Sequence, residues 1–211
     1  VMQTNLEVFA RKKTPTIEEY QDIFGMIQNQ TERLSHLSEV LLDMTGIQSV
    51  ERSDFISLAE LTDEVCCDLT SIAEQKQIKL IQEDGDCTIT GSYLLLYRAV
   101  YNLVENAIKY NHSGGKVTVK ISQKKDLPAA HSKPTDYALV EVTDTGIGIS
   151  PEFQEKIFDP FFRVDKSRSR AMGGAGLGLA LVNEIARQHG GEVKVLKSDK
   201  NGSTIALILP L

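Results

Sequence analysis

From Ile23 onward, apolar residues return in alternating steps of four and three: Ile23, Ile27, then Leu34, Leu37, Leu41 and Met44, with the polar Gln30 in one slot of the series. Such a series predicts a helix with a coiled-coil seam. Thr14-Pro15 breaks the chain just before it. Thr16 is placed to cap the helix, and Glu18 and Glu19 suit its first turn, where the helix dipole favours negative charge. Gly46 fits the C-terminal end. Upstream, Met2, Leu6, Val8 and Phe9 read as the tail of another helix ending near Lys13. A single helical hairpin cannot bury a stripe of this kind well, so the first 50 residues are expected to form half of a dimeric four-helix bundle.

Past residue 50 the period changes. Phe55–Ser57 reads as a short strand, and Leu58–Gln75 as an amphipathic helix with Leu61, Val65, Leu69 and Ile72 on one face. Ile78–Ile81 and Cys87–Thr90 read as strands around the turn Glu83-Asp84-Gly85-Asp86. Ser92–Tyr110 is a strong helix pattern, and Lys116–Ser122 and Tyr137–Thr143 read as strands joined by a polar stretch containing Pro128 and Pro134. A last helix, Leu177–His189, precedes two strands, Glu192–Leu196 and Ser203–Leu209, around Asn201-Gly202. The fold class expected for residues 51–211 is α+β, a two-layer α/β sandwich in which helices cover one face of a mixed sheet.

Composition narrows the chemistry. A net charge of −6 argues against a general nucleic-acid binder. Cys66, Cys67 and Cys87 have neither disulfide nor zinc spacing and read as reduced thiols. The sequence has no apolar run of about 18 residues, the length a membrane-spanning helix requires.

Three stretches have the makings of a phosphate and nucleotide site. Asn102, Asn106 and Lys109 share one helical face by their spacing. An amide oxygen can ligate magnesium, and an ammonium serves phosphate as a point charge. Asp144-Thr145-Gly146-Ile147-Gly148-Ile149 comes directly after a strand, and a carboxylate at a strand end could accept from the amino group of adenine. Gly173-Gly174-Ala175-Gly176-Leu177-Gly178-Leu179 runs straight into a helix, whose first N–H groups form an anion site. It is not a Walker loop, because no Lys-Ser/Thr comes after the glycines. Between the last two lies Phe158-Asp159-Pro160-Phe161-Phe162-Arg163, then Lys166, Arg168 and Arg170, an aromatic and basic segment suited to cover a charged ligand.

In this order, the stretches resemble the motif set of bacterial sensor histidine kinases, a group within the wider superfamily shared with DNA gyrase and mismatch-repair ATPases. Asn102–Tyr110 looks like the N box, Asp144–Gly148 the G1 box, Phe158–Phe162 the F box and Gly174–Gly178 the G2 box; His189-Gly190-Gly191 and Gly202-Ser203-Thr204 also fit. The resemblance runs from Thr16 to Leu211. It implies binding of ATP with Mg2+, the metal held by Asn106. Lys109 would meet phosphate, with Asn102 beside it as a second catalytic-site residue, and Tyr110 would lie along the adenosine. Asp144 would take the adenine amino hydrogen while Gly146, Gly148 and Ile149 pass beneath the base. Phe162, Arg163 and Lys166 would close over the nucleotide, and Gly174, Gly176, Leu177 and Gly178 would wrap its phosphates. Thr204 is expected to complete the pocket.

The family's phosphoacceptor histidine, usually in H-E-x-K/R-T-P, is absent. Val1-Met2-Gln3-Thr4 resembles the residues immediately downstream of that motif, so the chain is expected to begin just after it. His36 lies on the second helix, where the family has no acceptor. The resemblance further implies a homodimer through the bundle, a response regulator receiver domain as partner, and a cytoplasmic portion of a membrane-anchored protein. Two other classes compete with this one. A gyrase-like ATPase clamp is disfavoured because gyrase-type enzymes place a glutamate where this chain has Asn102. A non-catalytic dimeric scaffold is disfavoured by the intact Asn106, Lys109 and Asp144.

Overall fold

The computed structural model describes residues 9, 16–28, 31, 50–125, 136–164 and 176–211. The whole seam beyond Ile27, together with His36, Lys166 and Gly174, lies outside the described residues.

Residues 17–28 are helical. The expected cap is a reciprocal one: Thr16 Oγ1 accepts from the Glu19 N–H at 3.3 Å, and the Glu19 carboxylate accepts from the Thr16 N–H at 3.1 Å. The apolar Ile17 and Phe24 on this helix are 79% and 71% exposed.

The rest is α+β. Strand β1 (Asp54–Ser57) leads into helix α1 (Leu58–Gln75), then β2 (Lys79–Gln82), β3 (Thr88–Gly91) and helix α2 (Tyr93–Lys109). Then come β4 (Lys116–Lys125), β5 (Asp136–Asp144), helix α3 (Gly178–Gln188), β6 (Glu192–Asp199) and β7 (Gly202–Pro210). Two short 3-10 turns, Pro151–Phe153 and Lys156–Phe158, separate β5 from α3. Five strands form one sheet in the order β2-β4-β5-β7-β6, in which β2 and β4 are parallel and the other pairs antiparallel.

One core joins the helices to one face of this sheet. Leu61, Val65 and Leu69 of α1, Leu96, Val100 and Leu103 of α2, and Leu181 and Ile185 of α3 bury against Val117, Val119, Val140, Val142 and Leu207. Each helix turns most of its apolar stripe inward, as its sequence period requires, but Ile72, expected on the same face of α1, is 38% exposed near the helix end. The opposite face carries a smaller cluster of Leu139, Ala206 and Ile208.

One expected hairpin does not form. β2 and β3 flank a turn but do not pair. β2 joins β4, whereas β3 pairs with β1 in a separate two-stranded sheet. The Asp86 carboxylate is committed elsewhere: it accepts from Ala59 N–H at 3.1 Å and from the Ser57 hydroxyl, fastening the start of α1. The turn therefore serves a helix end rather than a hairpin.

His189 ties two helix ends together. Its Nε2 accepts from the Ser92 N–H at 3.1 Å, at the start of α2, and its Nδ1 lies 2.8 Å from the Ile185 carbonyl of α3. Only the neutral ring protonated at Nδ1 satisfies both contacts. Burial holds its pKa below the ordinary 6.5; the nearby Arg52 charge acts the same way and the Ile185 hydrogen bond opposes it. Because the folded value is depressed, the unfolded chain takes up the proton first. The contribution of His189 is therefore complete above about pH 6.5 and is lost as pH falls through the folded value. Thermal melts of His189→Gln should show a shallower loss of stability between about pH 7 and 5 than the unaltered protein. Parallel slopes would remove His189 from this role.

Candidate functional site

Helix α2 carries the first group of site residues. The Ser92 hydroxyl accepts from the Leu95 N–H at 3.5 Å at its start, and Leu96, Val100, Leu103 and Ala107 fix its inner face. That leaves Asn102, Asn106 and Lys109 on a half-buried flank. Asn102 Nδ2 donates to the Arg98 carbonyl at 2.8 Å, which turns its Oδ1 toward the head of α3. A β-carbon built on Gly178 would sit 2.5 Å from Asn102 Oδ1 and 3.8 Å from Asn106 Nδ2. Both carboxamides thus lie against the first residue of α3. The N-cap of that helix, Leu177, makes no side-chain cap, and its first turn has no acidic residue. Its leading N–H groups are available to an anion.

The far end of α2 meets the Asp-Gly turn. The Tyr110 carbonyl accepts from the Ile147 N–H at 3.2 Å. Asp144 is held by both oxygens: Oδ1 accepts from the Gly146 N–H at 2.7 Å and Oδ2 from the Ser203 hydroxyl. The two glycines are required by the protein's own backbone. A side chain on Gly146 would overlap the Tyr110 carbonyl. Gly148 has φ +67° and is pressed onto the Asp199 carbonyl.

The aromatic segment closes the third side. Phe158 packs on the main core, and the Phe162 ring lies 5.7 Å from that of Phe153. Phe161 N–H donates to the Gly176 carbonyl at 2.8 Å, which joins this segment to the glycine loop. Phe161 itself has φ +65° and is 60% exposed, a backbone setting that a bulky residue rarely adopts. Arg163 is near enough to act on Lys109. Burial lowers the Lys109 pKa; Glu105 opposes this, while Arg163 and Lys76 reinforce it. The Lys109 ammonium also lies 5.8 Å from the Tyr110 ring centre. Arg163 Nη2 is buried and makes no hydrogen bond among the described residues. A buried guanidinium nitrogen in that state is suited to a phosphate oxygen.

The structure therefore brings together Asn102, Asn106, Lys109, Tyr110, Asp144, Gly146, Arg163, Gly176 and Gly178 through a chain of contacts. Leu177 as a whole residue is only 1% exposed and belongs to the main core. Ile149 turns its N–H to Ser198 Oγ at 2.7 Å. The Thr204 hydroxyl pairs with that of Thr143 at 3.0 Å, across the β5–β7 register. Side chains alternate along a strand, so Thr204 faces away from Asp144, and the neighbouring Ser203 reaches that carboxylate instead.

A mixed sheet backed by helices, an uncapped helix head faced by carboxamides and a carboxylate turn at a strand end define an ATP-binding catalytic domain. The pattern of the family described as "Histidine kinase-, DNA gyrase B-, and HSP90-like ATPase" matches residues 91–211, and the chain belongs to that family. Among curated relatives, the sensor-like histidine kinase SenX3 of Mycolicibacterium smegmatis is 33% identical over 185 residues, covering 86% of this chain and 46% of that protein. The chain thus spans about half the length of such relatives. Among solved structures, the mycobacterial sensor histidine kinase MprB has a TM-score of 0.63 at 29% identity, over 74% of this chain and 97% of that one. Histidine kinase ThkA, solved in complex with the response regulator TrrA, has a TM-score of 0.68 over 99% of this chain and 58% of that one; at 22% identity it speaks for the fold alone.

Proposed function

We propose that the whole protein transfers the γ-phosphoryl group of ATP to a bundle histidine, for relay to an aspartate on a response regulator. One juxtaposition supports this reading most directly. A single helix, α2, sets Asn102 and Asn106 against the open head of α3 and Tyr110 against the Asp144 turn. The two stations suit phosphate and base respectively.

Magnesium fits the donor set. Among the described residues no group of three or more His, Cys, Asp or Glu could hold a metal ion. An ion here would have few protein ligands and keep water and phosphate oxygens, as magnesium prefers. Asn106 would supply its amide oxygen. Bound magnesium-ATP supplies the activated phosphoryl group. Lys109 and Arg163 would neutralise phosphate charge, Asp144 would accept from the adenine amino group, and the N–H groups from Gly176 to Gly178 would cradle the phosphates. Asn102 cannot serve as a general base, so these groups position and neutralise while the nucleophile arrives on another side chain.

Under the same reading, residues 1–50 form the dimerisation and phosphotransfer hairpin and 51–211 the catalytic domain. The exposed Ile17 and Phe24 support an apolar helix face that a second copy would cover. Anchoring to a membrane, with this portion on the cytoplasmic side, belongs to the same proposal and rests on the likeness to sensor kinases. No helix among the described residues is long and apolar enough to cross a membrane.

The test has two parts. Calorimetric titration should show ATP binding that magnesium strengthens, and Asn106→Ala should remove about a tenfold share of that magnesium-dependent gain without altering binding in a chelator. The whole protein incubated with terminally labelled ATP should acquire an acid-labile, alkali-stable label. Absence of ATP binding by the unaltered protein would end this reading.

A further inference from the structure

Strands β6 and β7 pair regularly from Glu192 with Ile208 to Val195 with Ile205. The register then slips by one residue, so that Lys197 faces Thr204 and Ser198 faces Ser203. Alternation would otherwise place Ser198 on the face opposite Val193, whose side chain is buried in the main core. The extra residue, Leu196, reverses that phase. It turns Ser198 to the side on which Ser203 reaches Asp144. Bulges commonly re-aim a side chain next to a functional site.

Turned this way, Ser198 Oγ accepts from the Ile149 N–H at 2.7 Å and donates to the Gly202 carbonyl at 3.4 Å. It also lies 3.3 Å from where a β-carbon of Gly148 would be. The Asp144–Ile149 turn is thus held at two ends. Near its start, Thr145 N–H donates to the Lys116 carbonyl at 3.1 Å and Ile147 N–H to that of Tyr110 at 3.2 Å. At its far end the Ser198 hydroxyl fastens it to the β6–β7 hairpin, the same hairpin whose Ser203 holds Asp144.

We infer that Ser198 is a positioning residue for base recognition, aimed by the β6 bulge, which fixes the Asp144 turn against the hairpin so that the carboxylate faces an adenine amino group. This rests on the nucleotide-binding reading above. Ser198 acts through the turn, without touching the base, so its removal should blur the choice between purines more than it weakens the hold on phosphate. Guanine presents a carbonyl where adenine presents the amino group, and a carboxylate repels it.

The experiment is calorimetric or competitive titration of the protein with ATP and GTP. The unaltered protein should prefer ATP. Ser198→Ala should lower ATP affinity about tenfold and leave GTP affinity within about twofold, which shrinks the ATP/GTP ratio about tenfold. Ser198→Thr keeps the hydroxyl and should keep the ratio. An unchanged ratio in Ser198→Ala overturns the inference, whether both affinities hold or both fall together as a loss of general stability would make them. An unaltered protein that binds ATP without preferring it overturns it as well. If the unaltered protein binds neither nucleotide, the nucleotide reading itself has failed, and that result is seen before any substitution is made.

Discussion

Asp144→Ala should weaken ATP binding by about 10- to 100-fold, the range for losing a hydrogen bond to a charged group in a half-buried site. The carboxylate is oriented from two sides, by the Gly146 N–H at 2.7 Å and by the Ser203 hydroxyl, so it needs no rearrangement to accept from a base. Alanine removes the acceptor and leaves both donors without it. The side chain sits at the end of β5, and Val140 and Val142 carry the strand's burial, so the fold should survive. Calorimetric titration with magnesium-ATP, alongside a melting curve, measures both halves of the expectation. A change below about threefold would separate the base from this turn.

The largest loss of stability is expected from Gly148→Ala. Its φ of +67° already disfavours a side chain, and the new β-carbon would overlap the backbone carbonyl of Asp199, which has no rotamer by which to move aside. Strain of the two kinds together is worth about 3–5 kcal/mol, or a fall of roughly 10 °C in Tm for a chain of this size. Gly114→Ala is the natural comparison. Gly114 has φ +79° but nothing within 4 Å of an added β-carbon, so the substitution should cost about 1 kcal/mol, from the backbone setting alone. Equal melting temperatures for the two variants would show that the hairpin yields at Asp199.

The helices of the α+β region were legible because each carries its own period: Leu61, Val65 and Leu69 mark α1, and Leu96, Val100 and Leu103 mark α2, whatever lies opposite. Site residues on α2 were legible for the same reason, since Asn102, Asn106 and Lys109 share a flank by local geometry alone. Features that depend on distant partners were not legible. β2 and β3 look like two arms of a hairpin until β4 takes one and β1 the other. Gly146 and Gly148 stood out as a motif, but the atoms that demand them, the carbonyls of Tyr110 and Asp199, come from other elements. Thr204 stands out ahead of Ser203 in the sequence because a motif gives residue types without strand phase. The bulge that turns Ser198 inward leaves no trace in a pattern of apolar and polar positions, because the residue it inserts, Leu196, is itself apolar and exposed.

The single parallel pairing among the described strands bears on how fast the chain can fold. Lys79 must meet Lys116 before that pair exists, and all of β3 and α2 lies between them. Closing so long an intervening stretch costs entropy before any contact repays it, whereas the β6–β7 hairpin closes over a turn of two residues, Lys200 and Asn201. The β2–α2–β4 crossover is therefore expected to set the pace of refolding, which refolding and unfolding rates measured by stopped flow would check. Trimming Leu96 or Val100 in α2 should slow the approach to the native state, while trimming Val193 in the hairpin should chiefly hasten escape from it.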